Sequence, residues 1–332
     1  MSVERRVGPG VTVSPQLASL PSISVIVPAY NSEQSLEALV ERLAIVLGTH
    51  SAAYEVILIN DCSRDGTWAV IAGLAERYRF VRGIDLMRNF GQHNALLAGI
   101  RAASYPICIT IDDDLQHPPE EIPLLLSRLS EGYDVVYGVP HEQQHGFWRN
   151  AASQITKLTL QSAMGAETAS RISAFRAFRT QVRAAFASYQ GSFVSIDVLL
   201  TWATTRFTGV AVRHEPRRVG VSNYTLPRLL THALNMMTGF SAMPLQLASM
   251  IGFGFTMVGL FVLLYVVARY LIWGGVVPGF PFLASIIAIF SGAQLFALGI
   301  IGEYLARVHF RLMDKPSYTV RSDTAFVGTH YD

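Results

Sequence analysis

The sequence predicts an α/β fold, in which a soluble domain with a mainly parallel sheet precedes a hairpin of two membrane-spanning helices. Apolar strand segments alternate with helical segments between residues 22 and 138. The strand segments are continuous apolar runs rich in β-branched residues, which is typical of a parallel sheet covered on both faces. Two uncharged runs, residues 244–267 and 281–302, are each long enough to cross about 30 Å of hydrocarbon as a helix.

The elements of the soluble domain follow from local patterns taken in chain order. Strands are predicted at residues 22–30, 54–60, 81–86, 106–112 and 133–138, and helices at 32–47, 67–78, 93–103 and 120–132. In the first helix, Leu36, Leu39, Val40, Leu43, Val46 and Leu47 form one apolar face. Either Asn31 or Ser32 is expected to cap that helix. The pattern is weaker further on, where a helix is predicted at 147–165 and a strand at 206–216.

These elements divide the chain into five parts. Residues 1–21 lack an apolar core and are predicted to be a flexible tail without a signal peptide. The predicted order is then the soluble domain at 22–225, interfacial amphipathic helices at 226–243, the transmembrane hairpin at 244–310 with helices at about 244–268 and 281–303, and a C-terminal tail at 311–332.

Cations on either side of the apolar runs predict the orientation of the hairpin. The short link between the two runs carries Arg269 alone, whereas cations flank both outer ends: Arg217, Arg218 and Arg228 before the first run, and Arg307, Arg311 and Lys315 after the second. The positive-inside rule therefore places both ends of the hairpin, and the soluble domain with them, in the cytoplasm.

Composition limits the possible partners. Half of the residues are apolar (51%), only 15% are charged, and the net charge is +2, so the bulk charge gives no indication of nucleic-acid binding. The two cysteines, Cys62 and Cys108, have no disulfide or metal-site spacing.

Polar clusters follow three of the predicted strands, and ligands of parallel sheets bind at these carboxyl ends. Asp112 and Asp114 share one face of an extended segment, while Asp113 points the other way. Two carboxylates on one face suit Mg²⁺ or Mn²⁺, and Gln116 offers a neutral oxygen. The structural alternative is a solvated loop, with Asp114 near the start of the next helix.

The other two clusters have alternative interpretations as well. A carboxylate at Asp61 could accept hydrogen bonds from a base or a ribose, and Asp65 to Thr67 form a good turn and helix cap. Asn31 and Glu33 could cap a helix or hold a nucleoside. After the third strand, Arg88 and Asn89 precede a helix, where a phosphate or a carboxylate could bind, although a lone Arg88 is more often a surface salt-bridge partner.

Together these clusters resemble a known family. The segments "VIVPAYNSEQSL", "VILINDCSRDGT", "LMRNFGQHNALLAG" and "TIDDDLQHPPEEIP" occur in the order and spacing of family-2 glycosyltransferases. The resemblance is to the polyprenyl-phosphate sugar synthases and runs from about Ser22 through the hairpin. It implies a GT-A catalytic domain, which is Rossmann-like with a mainly parallel sheet.

The resemblance also implies roles for particular residues. Asp112 and Asp114 match the metal-binding and catalytic pair, with Asp113 between them at the donor and Gln116 as a third metal ligand. The donor contacts implied are Pro28, Tyr30, Glu33, Asp61 and Arg88. "AFRAFR" places Arg176 near the reaction centre, and "HEPRRVGVSNY" assigns Arg217, Ser222 and Tyr224 to a loop that reaches the donor or acceptor phosphates.

Two departures from the family pattern concern charge at the site. The lysine usual before the tyrosine of that loop is replaced by Asn223. An aspartate often found before the "FR" segment is replaced by Ser170 or Ser173. An acceptor that is already a phosphate anion needs no proton removed, so the loss of a general base is tolerable.

The reaction implied is inverting transfer of a sugar from a nucleoside diphosphate, with UDP favoured over GDP, to a polyprenyl phosphate such as undecaprenyl or decaprenyl phosphate. The divalent ion is Mg²⁺ or Mn²⁺. The product would serve cell-envelope glycan or lipid modification at the cytoplasmic membrane, and relatives suggest a homo-oligomer, a tetramer. The sugar stays open between glucose, an N-acetylhexosamine and a modified pentose.

Two other functions are compatible with a nucleotide-binding fold on a membrane hairpin. A processive polysaccharide synthase usually carries a Q-x-x-R-W motif, and none of Trp68, Trp148, Trp202 and Trp273 lies in that context. A non-catalytic nucleotide-sugar-binding membrane protein is the second, and the intact pair Asp112 and Asp114 argues against it.

Overall fold

The computed structural model describes residues 20–140, 172–191, 194–215, 243–273, 279–313 and 315–326. Eight strands form one sheet: β1 (Ser22–Ala29), β2 (Ala53–Asn60), β3 (Val81–Leu86), β4 (Ile107–Thr110), β5 (Val135–Pro140), β6 (Arg176–Arg179), β7 (Phe207–Val212) and β8 (Val320–Asp323). The α-helices are α1 (Leu36–His50), α2 (Thr67–Arg77), α3 (Gln92–Ala102), α4 (Ile122–Ser130), α5 (Ile196–Thr201), α6 (Met243–Trp273) and α7 (Phe280–Leu312).

The sheet has the order β7-β5-β6-β4-β1-β2-β3-β8. Four pairs are parallel, β1 with β2, β1 with β4, β2 with β3, and β5 with β7. β6 lies antiparallel between β4 and β5, and β8 lies antiparallel on the outer edge of β3. The predicted mainly parallel sheet is therefore confirmed, with two antiparallel insertions that the apolar pattern did not predict.

Helices cover both faces of the sheet and bury the predicted apolar runs. α1, α2 and α4 pack on one face, and α3 and α5 pack on the other. All six apolar residues predicted for the inner face of α1 are buried. Gly99 lets α3 approach the sheet closely, because a Cβ there would lie 2.4 Å from Ile26 and 2.7 Å from Ile59.

The predicted cap of the first helix is wrong. α1 begins only at Leu36, and the residue before it, Ser35, makes no side-chain cap. Ser32 is used differently, because its hydroxyl bonds to Asp113 and its backbone N–H donates to Thr67 Oγ1 at 2.8 Å. Residues 31–35 thus belong to a turn held by neighbouring loops, which delays the start of the helix.

α6 and α7 form the predicted apolar hairpin. Both are long and apolar enough to cross a membrane, and their large apolar side chains are mostly exposed, as at Phe261 and Leu271. They contact each other where Phe255 and Phe290 meet edge to face with centroids 5.9 Å apart. Both helices continue beyond the predicted spans, because helical hydrogen bonding need not end where the hydrocarbon does.

Part of the segment predicted as a C-terminal tail joins the sheet. Residues 320–323 form β8, and their pairing with β3 covers an outer edge of the sheet. The predicted interfacial helices at 226–243 and the helix at 147–165 lie outside the described residues, apart from Met243 at the start of α6.

Candidate functional site

Three left-handed residues mark the carboxyl ends of neighbouring strands. Among the described residues other than glycine, positive φ occurs at Asn31 (55°), Cys62 (55°) and Leu115 (60°). They follow β1, β2 and β4, which are adjacent in the sheet. Non-glycine residues in this region cost about 1–3 kcal/mol each and tend to cluster at functional sites. The structure therefore brings the three predicted polar clusters together at one strained edge.

Asp61 lies at the tip of β2, where the sequence predicted a nucleoside contact. Its two carboxylate oxygens accept hydrogen bonds from the backbone N–H groups of Phe90 (2.7 Å) and Gly91 (2.8 Å). Burial raises the pKa of Asp61, although these two hydrogen bonds oppose the shift. Asp61 therefore anchors the loop that follows β3, and its contact with a base stays a prediction.

The loops after β1 and β2 are tied to each other. Glu33 accepts a hydrogen bond from the backbone N–H of Gly66 at 2.7 Å, and Asn31 accepts one from Arg64 at 2.9 Å. The predicted turn at Asp65 is present, with its carboxylate 3.1 Å from the backbone N–H of Thr67. Pro28 lies within β1 and Tyr30 is exposed at its tip. Tyr30 and Glu33 thus lie exposed at the predicted donor side of the edge, whereas Pro28 is buried in the strand, and their contacts with a donor stay predictions.

The three aspartates lie in a turn, since β4 ends at Thr110. Asp113 turns toward β1, where it bonds to the Ser32 hydroxyl and accepts a hydrogen bond from the Tyr30 backbone N–H at 3.4 Å. Burial raises the pKa of Asp113. Asp112 accepts a hydrogen bond from Gln92 Nε2 at 2.7 Å. Asp113 therefore points away from Asp112 because of the turn, and its predicted contact with the donor stays a prediction.

Asp112, Asp114 and Gln116 lie in one short turn and offer the hard oxygen ligands that Mg²⁺ and Mn²⁺ prefer. The turn is preformed, because Asp114 accepts a hydrogen bond from the backbone N–H of Gln116 at 3.1 Å. No group of three or more His, Cys, Asp or Glu residues that could hold a metal occurs in the described ranges. These three oxygen-bearing side chains therefore fit an ion that takes its remaining ligands from substrate phosphates or water.

Arg176 lies at the start of β6 and is buried. Its guanidinium pairs with the buried Asp197 and donates from Nε to Thr110 Oγ1 at 3.0 Å. Burial opposes the charge, but Asp197 and then Tyr137 and Asp112 offset this and raise the pKa of Arg176. The structure thus places Arg176 beneath the acidic turn.

Asp197 was not identified from the sequence. It begins an apolar stretch, "IDVLLT", and α5 buries it against the hydroxyl of Tyr137 at 3.0 Å. The sequence offered one signal for it, a single carboxylate inside an apolar segment. Burying such a carboxylate costs free energy unless it has a partner.

His117 is the second residue that the sequence prediction missed. It is 9% exposed, and neither ring nitrogen has a hydrogen-bond partner among the residues that the structure describes. Its ring lies 5.5 Å from that of Phe175 and 5.0 Å from that of His214. Burial, and then His214, lower its pKa to about 4. A neutral imidazole next to Gln116 is therefore available to a bound group.

The predicted phosphate-binding residues are only partly within the described chain. Arg88 is exposed, and its guanidinium lies 4.4 Å from the centre of the Phe90 ring, just before α3. Arg217, Ser222 and Tyr224 lie outside the described residues.

Comparison with known proteins gives consistent results for sequence and fold. The family described as "Glycosyl transferase family 2" matches residues 24–186. The chain is 33% identical over 304 residues to the undecaprenyl-phosphate 4-deoxy-4-formamido-L-arabinose transferase of Yersinia pestis (strain Pestoides F), covering 90% of this chain and 92% of the relative. The enzyme of the same name from Pseudomonas aeruginosa (strain LESB58) is 34% identical over 303 residues, covering 90% and 89%.

A solved structure has the same fold. Glucosyl-3-phosphoglycerate synthase from Mycobacterium tuberculosis, crystallised with Mn²⁺, UDP and glucosyl-3-phosphoglycerate, superposes with a TM-score of 0.51 at 19% identity. The match covers 70% of this chain and 84% of that one. The predicted GT-A fold is thereby confirmed.

Proposed function

The chain belongs to glycosyl transferase family 2, and on that premise we propose that it transfers one sugar from a nucleoside diphosphate to a polyprenyl phosphate. The likeness to undecaprenyl-phosphate sugar transferases covers 90% of the chain. Only 242 of the 332 residues precede α6, so the likeness extends into the apolar hairpin. A match to both the catalytic domain and the hairpin favours the same class of acceptor.

The observation that carries the proposal is the hydrogen bond between Gln92 and Asp112. Gln92 begins α3, directly after the loop that Asp61 holds. Its contact with Asp112 joins the predicted nucleoside end of the site to the predicted cation end. A nucleoside diphosphate has this division, with an uncharged nucleoside at one end and a metal-binding diphosphate at the other.

We assign the cation ligands to Asp112, Asp114 and Gln116, with Mg²⁺ or Mn²⁺ as the ion. Such an ion would neutralise the charge that develops on the departing diphosphate. The acceptor phosphate is an anion and can attack without losing a proton. In-line attack opposite the diphosphate inverts the anomeric carbon. Asp197 is paired with Arg176 and is not needed as a base.

The hairpin supplies a reason for a lipid acceptor. α6 leaves the catalytic domain, and β8, which follows α7, packs on that same domain. Two crossings of a bilayer would return the chain to its starting side, as this arrangement needs. With the flanking cations, we propose a cytoplasmic-membrane protein whose catalytic domain and termini face the cytoplasm. The acceptor phosphate would then meet the site while its tail stays in the bilayer.

The donor and assembly belong to the same proposal. We favour UDP as the nucleotide, as the family resemblance implies, and Arg88, Arg217, Ser222 and Tyr224 as contacts to the phosphates. The exposed apolar side chains of α6 and α7 suit burial by lipid and by further copies of the chain, and we propose a homo-oligomer, specifically a tetramer.

A donor screen tests the function. The purified protein in lipid nanodiscs would receive undecaprenyl phosphate, Mg²⁺ or Mn²⁺, and one of a panel of UDP-glucose, UDP-N-acetylglucosamine, UDP-4-deoxy-4-formamido-L-arabinose and GDP-mannose. Mass spectrometry should find one sugar per lipid with one donor, and none with the Asp112→Asn variant. A polymeric product would instead favour a processive synthase. Nucleotide binding without transfer to any acceptor would favour a non-catalytic role.

A further inference from the structure

The C-terminal segment, residues 315–326, contacts the loop that Asp61 holds. Met87 begins this loop, here called the donor loop (residues 87–91), and its backbone N–H donates to the Thr319 carbonyl at 2.9 Å. The Met87 carbonyl accepts a hydrogen bond from Arg321 Nη2, also at 2.9 Å. At the other end of the loop, Phe90 and Gly91 donate to Asp61. The donor loop is therefore fixed at both ends, with Arg88 and Asn89 between.

Arg321 also reaches the buried part of the site. Its Nη1 lies 3.2 Å from Oδ2 of Asp85, a β3 residue that is 2% exposed. The other oxygen of Asp85 accepts a hydrogen bond from Asn60 Nδ2 at 2.7 Å. Asn60 in turn accepts one from the backbone N–H of Ser63 at 3.1 Å, in the turn that follows Asp61. Arg321 is thus linked to the donor side of the site by two routes.

A second ion pair anchors the same segment without touching the donor loop. Arg82 donates to both carboxylate oxygens of Asp323, at 3.0 and 2.6 Å. Close to it, the Gly83 backbone N–H donates to Thr324 Oγ1 at 2.9 Å. Removing the Arg82–Asp323 pair would therefore weaken the attachment of β8 without removing a contact to the donor loop.

The segment follows directly from the hairpin. α7 ends at Leu312, and Ser317 already donates to the Gly191 carbonyl at 2.9 Å. Five residues of extended chain span at most about 17 Å. The end of the second apolar helix is thus held close to the catalytic domain, and the chain continues from there to the donor loop.

We propose that Arg321 is a positioning residue for the donor: it holds Asp85 and Met87 so that the donor loop is ordered before the nucleotide binds. The inference rests on the proposed function for its binding readout. Without Arg321, the buried Asp85 carboxylate keeps Asn60 but loses its ionic partner, and the Met87 carbonyl loses a charge-assisted hydrogen bond. The nucleotide would then have to order the loop when it binds, and this entropic cost would weaken donor affinity, as for any site that is not preorganised.

The test compares Arg321→Met with Arg82→Met, which removes the second ion pair of the same segment. In the full-length protein in nanodiscs, Arg321→Met should raise the donor KM and the Kd of the free nucleoside diphosphate by about tenfold or more. kcat at saturating donor should change by less than about threefold. Arg321→Lys can keep the charge near Asp85 but lacks the forked guanidinium needed to reach Met87 as well. Its donor KM should lie between those of wild type and Arg321→Met. Arg82→Met should leave donor KM within about twofold of wild type.

Hydrogen exchange provides a readout that does not need turnover. Peptides covering residues 86–92 should exchange faster in Arg321→Met than in wild type or Arg82→Met. Equal donor KM and equal exchange in the two methionine variants would overturn the inference. So would a loss confined to kcat. A wild-type protein that binds no nucleoside diphosphate would overturn the proposed function together with this inference, whereas an active wild type with an unaffected Arg321→Met would overturn this inference alone.

Discussion

Arg176 and Asp197 form a buried ion pair beneath the turn that carries Asp112 and Asp114. The Arg176 side chain is 2% exposed and that of Asp197 is 9% exposed. Thr110 and Tyr137 complete the surroundings of the pair. A buried pair adds little net stability compared with apolar residues, but removing one partner leaves an uncompensated charge. The pair is therefore best understood as a rigid, charged support for the acidic turn.

Replacing Asp197 tests this relationship. Asp197→Ala should lower the free energy of unfolding by about 3–5 kcal/mol, because Arg176 stays buried without its partner. Glu37→Ala is the matched control, since Glu37 pairs with Arg77 at 2.9 Å on the surface with about 60% of each side chain exposed. That change should cost no more than about 1 kcal/mol. Chemical unfolding of the detergent-solubilised protein measures both, and similar losses in the two variants would contradict the buried pair.

The proposed cation site gives a second prediction, which concerns the orientation of the Asp112 carboxylate. Gln92→Leu removes the hydrogen bond to Asp112 and should raise the Mg²⁺ or Mn²⁺ concentration needed for half-maximal transfer by about 10–100-fold, as for other residues that orient a ligand. Asp112→Asn and EDTA should each abolish transfer. Asp65→Asn, which alters the turn before α2 and its hydrogen bond from the Glu33 backbone N–H, should leave the metal requirement unchanged. Transfer assays at increasing metal concentration measure these effects. Full activity of Asp112→Asn in chelator would show that the reaction needs no cation bound at Asp112.

His117 gives a prediction in which stability and activity move in opposite directions. Its buried ring nitrogens have no hydrogen-bond partner within the described part of the chain, and such groups cost about 1–3 kcal/mol each. His117→Phe should therefore raise the melting temperature while lowering kcat/KM about tenfold or more, if the imidazole is kept for a bound substrate. His50→Phe is the control, because His50 ends α1 at the opposite end of that helix from the site, and its Nδ1 bonds to the Val46 carbonyl at 2.9 Å. It should lose stability and keep its activity.

The cysteines report on the donor side of the site. Cys62 is half-buried and adjoins Asp61, whereas Cys108 is buried in β4. Burial raises the pKa of the Cys108 thiol to about 11, so about one in a thousand molecules carries its thiolate at pH 8. Iodoacetamide should therefore modify Cys62 and spare Cys108, and a bound nucleoside diphosphate should slow the labelling of Cys62. Peptide mass spectrometry measures this, with urea-unfolded protein as the control; equal labelling of both thiols in the folded protein would contradict the placement.

Most of the strands, the main helices and the edge of the sheet that carries the polar clusters were predictable because they depend on local patterns. Apolar runs such as residues 54–60 become strands wherever they are buried, and polar residues after them must lie at the same edge of a parallel sheet. The acidic turn and Asp61 were found in this way. β6 was not, because "RAFR" is four residues long with a cation at each end. β8, "VRSD", is equally short and polar, and its place on the sheet depends on β3.

The sequence did not show which side chains contact one another across the fold. Asp197 meets Arg176 across 21 residues and Tyr137 across 60, so its role appears only after folding. Ser32 likewise resembles a helix cap until the fold brings Asp113 against it. In both cases a tertiary contact decides how the side chain is used.

The apolar hairpin predicts a strong preference for acceptors that carry an isoprenoid tail. α6 and α7 expose large apolar side chains, and in the proposed membrane hairpin these would hold the catalytic domain at the surface where a lipid phosphate is concentrated. Each buried CH₂ of an acceptor contributes about 0.8 kcal/mol to membrane partitioning, so undecaprenyl phosphate should give a kcat/KM at least about a hundredfold above that of a short, water-soluble prenyl phosphate in nanodiscs. In detergent above its critical concentration the ratio should shrink, because micelles dilute the lipid acceptor. The donor Kd, measured without acceptor, serves as the control and should be the same in both media. Equal kcat/KM for the long and short acceptors in nanodiscs would show that the hairpin does not serve acceptor capture.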